Sequence, residues 1–271
     1  MKNVLRGLIY NEQVSITAID ATEIVKEGMR IHSLHNASGE LFGKALCVCA
    51  FLSAGLKEKR GEISFAVQAD CGSMTVSGNY AMQIRGYFDC ADGEKNSFGS
   101  GTLTVVRDDG YSRPFVGACA LTGENPDVDF AEYFRISEQL PTEIATVIQT
   151  DEKGECSFAA LIALQPLPFA DAKTLATMPK GDELKGYLER IRLDGLKATF
   201  DLFQPTTVTE RNAQYKCNCS REYLRGVLTS LGETEMRRII KEDGAVRVHC
   251  HYCNTDYEFV DKDADEMFRK N

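Results

Sequence analysis

The chain has 271 residues, 43% hydrophobic and 26% charged, the balance of a globular protein with room for one sizeable core and a small second module. Its 40 acidic residues outnumber its 31 Lys and Arg, for a formal charge of −9. That charge repels phosphate backbones and argues against a general nucleic-acid binder.

The opening stretch, MKNVLRGLIYNEQVSITAIDATEIV, is interrupted by polar residues and lacks the apolar region of a signal peptide. Within it, NVLRGLIY and QVSITAID are predicted strands, rich in β-branched residues. Thr22 is placed to cap a helix through EIVKEGMRIHSLH. A second helix is predicted over GELFGKALCVCAFLSAGLK, apolar around most of its surface, as a core element is. It holds the longest apolar run, residues 45–56, too short to cross a bilayer. The expected compartment is the cytoplasm, where thiols stay reduced. The chain's 10 cysteines therefore need a role other than structural disulfides.

A β-rich block follows: GEISFAVQAD, SMTVSGN, MQIRGYFDC and GTLTVVRDD, punctuated by Gly and Asp as in a meander. PDVDFAEYFRISEQLP has helical periodicity and stops at Pro141. TEIATVIQTD and CSFAALIALQPLP read as two strands joined by the turn EKGE. After Pro168 the strand signal fades, with a single helix expected at 182–191. The last module is expected to hold a helix capped by Ser220, a second through TEMRRIIKED, and a hairpin carrying Cys250 and Cys253. The predicted fold class is α+β: a mostly antiparallel core with packed helices over 1–170, a helical linker over 171–210, a small module over 211–260, and an acidic flexible tail over 261–271. A module of fewer than about 60 residues needs a staple to persist.

Cys217 and Cys219 form a CxC, and Cys250 and Cys253 a CxxC. In an extended segment, side chains at i and i+2 point the same way, so the first pair can grip one ion together. The intervening residues, 220–249, suffice for two short helices to fold back. Four thiolates at this spacing match a closed tetrahedral zinc site with one Zn2+ per chain. His249 and His251 flank Cys250 and are alternative ligands, but in a strand they face away from it, so four sulfurs are preferred. Such a site is either purely structural or a redox latch. Zinc contributes about 10–16 kcal/mol to the folding of small zinc modules, against about 5–15 kcal/mol for a whole domain. Each pair also keeps a second sulfur at hand to trap a sulfenic acid.

Other motifs carry less. Cys47 and Cys49 form a second CxC on a helix, where i and i+2 diverge, and read as small buried hydrophobes. Cys71, Cys90, Cys119 and Cys156 are scattered. Ser137 lacks the G-x-S-x-G setting of a nucleophile. Glu138 and Glu143 read as solvated carboxylates. No phosphate-binding loop of the form G-x-x-x-x-G-K-[ST] is present.

The stretch CNCSREYLRGVLTSLGETEMRRIIKEDGAVRVHCHYCNTDYEF closely resembles the zinc module of the thirty-three-kilodalton heat-shock protein family, redox-regulated holdase chaperones of bacteria. Upstream, QIRGY at 83–87, GTLTV at 101–105, YFRISEQLPT at 133–142 and LQPLP at 164–168 resemble that family's core motifs in the same order. The chain departs from the pattern at Gly39-Glu40 with Lys44, and at Arg113-Pro114-Phe115. The resemblance implies a non-enzymatic, ATP-independent chaperone, inactive while Cys217, Cys219, Cys250 and Cys253 hold zinc. It implies that oxidant forms disulfides Cys217–Cys219 and Cys250–Cys253 with zinc release, and that the module and linker then unfold. Unfolding client proteins are the implied partners, with a homodimer on oxidation and no nucleic acid or membrane. The alternative is a constitutive zinc module recruiting a protein or nucleic-acid partner. A CxxC thiol–disulfide oxidoreductase is a third possibility, without the βαβ setting that chemistry uses.

Overall fold

The computed structural model describes residues 2–90 and 96–269. The chain divides into two compact units, Met1–Tyr215 and Lys216–Asn271. The first opens with strands β1 (Val4–Ile9) and β2 (Val14–Asp20) and helices α1 (Thr22–His32) and α2 (Asn36–Ala54). Five strands follow: β3 (Glu62–Ala69), β4 (Gly72–Asn79), β5 (Gln83–Cys90), β6 (Gly101–Asp108) and β7 (Phe115–Ala120). Helix α3 (Pro126–Tyr133) runs into a π-helical turn, Phe134–Glu138, before the hairpin β8 (Glu143–Thr150) and β9 (Cys156–Pro166). Helices α4 (Ala172–Thr177), α5 (Asp182–Asp194) and α6 (Leu196–Asp201), then β10 (Thr206–Arg211) and β11 (Gln214–Tyr215), complete the unit.

Two sheets result. The first, ordered β10-β1-β2-β9-β8, is antiparallel throughout. The second, ordered β11-β5-β4-β3-β6-β7, is antiparallel except that β11 runs parallel to β5. Helix α2 contributes Phe42, Leu46, Cys49 and Phe51 to a core shared by both sheets, with Ile19 and Leu161 from the first and Phe65 and Val76 from the second. This surrounds α2 with apolar partners and explains its near-uniform hydrophobicity. The helix is long and apolar enough to cross a membrane by composition, yet 83% of its apolar window lies buried in the protein. The other face of the first sheet, Leu5, Ile16, Ile162 and Leu164, packs against Leu184, Leu188 and Ile191 of α5 and Phe200 of α6. Being covered on both sides, β2 and β9 read as apolar runs rather than alternating ones.

Three local expectations change. Thr22 is the first helical residue, with Ala21 in the cap position. Its hydroxyl donates to Asp20 Oδ1 (2.7 Å) and accepts from the Ala159 N–H (3.1 Å), tying α1 to β9. Residues 171–210, expected as a linker of little strand character, carry β10 as well as three helices. β10 pairs with β1 (Val4↔Arg211, Leu5↔Glu210), but its exposed edge position leaves no apolar alternation to read. Glu138 is largely shielded, accepting from Arg107 Nη2 (2.9 Å) and the Tyr133 hydroxyl (3.1 Å).

The second unit holds α7 (Arg221–Thr229), α8 (Glu233–Asp243), the hairpin β12 (Val246–Cys250) and β13 (Thr255–Phe259), and α9 (Asp261–Met267). Its core is small: Leu228, Met236, Ile240, Val246, Phe259 and Ala264. The stretch expected as an acidic tail thus forms a helix, because Ala264, Met267 and Phe268 find apolar partners there.

Candidate metal centre

Each cysteine pair is set by local structure. Ser220 caps α7, its Oγ accepting from the Tyr223 N–H at 3.0 Å. That cap starts the helix immediately after Cys219 and leaves Cys217 and Cys219 on extended chain. Cys250 ends β12 in register with Thr255, and Cys253 lies in the hairpin turn. Asn254 carries the turn's left-handed backbone at φ 52°, a conformation Asn tolerates better than most residues.

The fold brings all four sequence-predicted residues together. Their Sγ atoms lie within 4.8 Å of one another, every cysteine is half-buried, and every one is a free thiol. A tetrahedral Zn2+ with Zn–S bonds of about 2.3 Å places its sulfurs about 3.8 Å apart, so the donor set fits such an ion with little adjustment. A sulfur-only set favours a soft or borderline cation over magnesium or calcium. Sulfurs of the two pairs meet directly: Cys219 to Cys253 at 3.1 Å and Cys217 to Cys250 at 3.7 Å. The Cys219 N–H donates to Cys217 Sγ at 3.4 Å.

The histidines stand apart. His249 is exposed and engages Asp256 Oδ1 at 2.7 Å through Nδ1, and its ring meets that of His251 edge-on at 4.9 Å. Strand alternation turns His249 away from its neighbour Cys250, as period-two geometry requires.

The sulfurs differ in acidity. Burial pushes the Cys217 and Cys219 thiols up. Burial also opposes ionisation of Cys250, but the N–H groups of Cys253 and Tyr252 and the adjacent thiols outweigh it and hold Cys250 below its ordinary value. The protein alone therefore makes Cys250 easier to ionise than Cys217 and Cys219. A bound dication would supply the charge that lets all four ionise together.

Two features escape the sequence. The Tyr257 hydroxyl lies 3.3 Å from Cys219 Sγ, a contact that raises the phenol's pKa. Arg221 donates to Glu258 O (2.8 Å) and Asp263 Oδ1 (2.7 Å), with its guanidinium 4.5 Å from the Phe259 ring centre. It pins the residue following the first cysteine arm to the hairpin and to α9. The sequence hints were the aromatic-rich NTDYEF and the reading of Arg221, with Lys216 and Arg247, as charge balance for a four-thiolate site. Cys47 and Cys49 lie buried in α2, as expected, and burial pushes Cys49 up to about 12.

Comparisons with known proteins agree in extent and order. A family model described as Hsp33 protein matches residues 2–260. The chain is 29% identical over 297 aligned residues to the 33 kDa chaperonin of Alkaliphilus oremlandii (strain OhILAs), covering 100% of this chain and 99% of that one. It is 26% identical to the 33 kDa chaperonin of Clostridium novyi (strain NT), covering 98% and 97%. The fold is similar to the crystal structure of the 33 kDa chaperonin (heat shock protein 33 homolog) from Thermotoga maritima, with a TM-score of 0.79 and 24% identity over 99% of this chain and 98% of that one. With the family model spanning both units, this chain belongs to the Hsp33 family, which supports a chaperone role for it.

Proposed function

We propose that this protein is a redox-regulated, ATP-independent holdase, in which Cys217, Cys219, Cys250 and Cys253 bind one Zn2+ when reduced and form two disulfides when oxidised. The observation that carries this reading is the gathering of four free thiols from the two ends of a small unit into one cluster. When bound, Zn2+ would cross-link those ends and hold the sulfurs as thiolates, the form that oxidants attack.

The redox step needs a peroxide-class oxidant. One thiol takes an oxygen from hydrogen peroxide to become a sulfenic acid, releasing water. Its partner thiol attacks that sulfur and expels a second water, leaving a disulfide. Each thiol pair surrenders two electrons to one peroxide as its disulfide forms, and two thiolates leave the donor set. Pairing as Cys217–Cys219 and Cys250–Cys253 leaves the first arm and the hairpin untethered. The remaining core of the module is too small to persist alone.

Opening exposes apolar surface that captures unfolding clients. Apolar side chains already at the surface of the first unit, such as Phe115, Val116 and Ile136, would extend it. The reading includes a cytoplasmic location, an oxidised homodimer, and no enzymatic turnover. Light scattering from a heat-unfolding client tests it. Suppression of aggregation only after peroxide, with zinc release and loss of four thiols, is the expected result. Equal suppression in both states would favour a constitutive zinc module.

A further inference from the structure

The segment that ends the first unit is fastened to it with unusual density. The Asn3 N–H donates to Arg211 O (3.2 Å). The Asn3 carboxamide grips Ala213 on both sides, accepting from its N–H (2.8 Å) and donating to its carbonyl (3.0 Å). The Gln214 N–H donates to Met82 O (3.0 Å). Arg211 donates to Tyr80 O and lies 4.6 Å over the Tyr80 ring. Finally, the Tyr215 hydroxyl donates to Gly86 O (2.9 Å) and accepts from the Gly86 N–H (3.3 Å). The same hydroxyl lies 3.1 Å from His32 Nε2.

The bonds of Gln214 and Tyr215 cover a sheet edge. β11 is only two residues long, pairing Gln214↔Gln83 and Tyr215↔Ile84 in parallel. Past its end, the Tyr215 phenol occupies both backbone groups of Gly86 that an added strand would use. Alternate residues of a strand turn their N–H and C=O to the same edge, so Ile84 and Gly86 belong to one row. An uncovered row of this kind is a template for pairing with another chain.

We propose that β11, with the residues 212–213 that lead into it, forms a removable edge strand, and that the β5 edge beneath it at Ile84–Gly86 pairs, once released, with an extended stretch of unfolded polypeptide. This rests on the chaperone reading above and names where a client docks. What covers the edge in the structure is itself an extended peptide, and it engages backbone groups of the edge: Met82 O through the Gln214 N–H and both polar groups of Gly86 through the Tyr215 phenol. A site built for main-chain pairing accepts clients with little regard to sequence, which suits a holdase. The trigger is supplied by connectivity. Tyr215 closes the first unit, Lys216 opens the second, and Cys217 comes next. A chain that has lost order at Cys217 no longer restrains the far end of the strand.

The test is amide hydrogen exchange at Gly86, read by NMR on the full chain, with Phe65 on the central strand β3 as internal control. The probe client is reduced, carboxymethylated lactalbumin, permanently unfolded and free of thiols. Peroxide treatment is expected to speed exchange at Gly86 about ten-fold or more with Phe65 unchanged, and added probe to slow it again. Tyr215→Phe, which keeps the ring and removes the hydroxyl, is expected to speed exchange at Gly86 in the reduced protein by a similar factor. Gly86 still protected after oxidation would overturn the proposal. So would a probe that co-elutes with the oxidised chain while Gly86 stays fast, since clients would then dock elsewhere and the chaperone reading would stand. A probe that fails to bind the oxidised chain at all would sink that reading itself, and this proposal with it.

Discussion

Cys219 Sγ lies 3.1 Å from Cys253 Sγ although 34 positions separate the two in the chain. The companion contact, Cys217 to Cys250, spans 33 positions. Sulfur contacts therefore bridge the module as well as lying within the CxC and the CxxC. Any bond across them closes a loop worth roughly 3–4 kcal/mol on the chain-entropy model. A bond within a pair closes almost nothing. On the proposed redox reading, the same four atoms hold the module shut or let it go, according to which neighbours they choose.

Removing one sulfur should open the module without oxidant. Cys219→Ser is expected to weaken zinc binding by more than the 10–100-fold typical of losing an outer partner of a ligand. It should also disorder α7 and the β12–β13 hairpin while the first unit keeps its spectrum. Zinc analysis and amide NMR check this. A variant that retained one tightly held zinc per chain and an ordered hairpin would show that three sulfurs and a substitute suffice.

Asp127 makes core stability depend on pH in an unusual sense. Its carboxylate accepts from the Thr146 N–H (3.0 Å) and Oγ1 (2.5 Å), yet burial outweighs these bonds and raises its pKa. The folded chain thus binds this proton more tightly than the unfolded chain, whose Asp titrates near 3.9. The contribution is present at low pH and is lost as pH rises through the folded pKa. Asp127→Asn does not titrate, so its stability relative to the native chain should be most favourable at neutral pH and decline toward pH ~4. Paired thermal melts across that range measure the difference, in which the common module cancels. A flat difference, or one of opposite slope, would refute the assignment.

Two glycines should respond oppositely to alanine. A Cβ on Gly78 would sit 2.2 Å from Ser53 Oγ, 2.7 Å from Ile84 Cδ1 and 3.1 Å from Cys49 Sγ, where α2 crosses β4. Gly78→Ala is expected to cost about 1–3 kcal/mol through overpacking. Gly226, inside α7, meets nothing within 4 Å, and Gly226→Ala should stabilise the second unit by about 0.5–1 kcal/mol. Chemical denaturation of each variant decides both signs.

Much of the fold was legible because it is written in local chemistry. β3, β5 and β6 alternate along their length, and Ser220 announces α7. β7, β10 and β11 were missed. β10 is exposed along nearly its whole length, and β11 has two residues, so neither carries a period. Their existence depends on partners distant in sequence, β10 on β1 and β11 on β5.

The cysteine spacing sufficed to pick out the four residues that the fold gathers into one cluster, and the resemblance, since chelation demands particular atoms at short separations. It could not reveal that Arg221 ties the first arm to Glu258 and Asp263, or that the Tyr215 phenol caps Gly86. Those are meetings of side chains with backbone groups far along the chain. Only packing of the whole core brings such groups within the 3 Å or so over which a hydrogen bond acts.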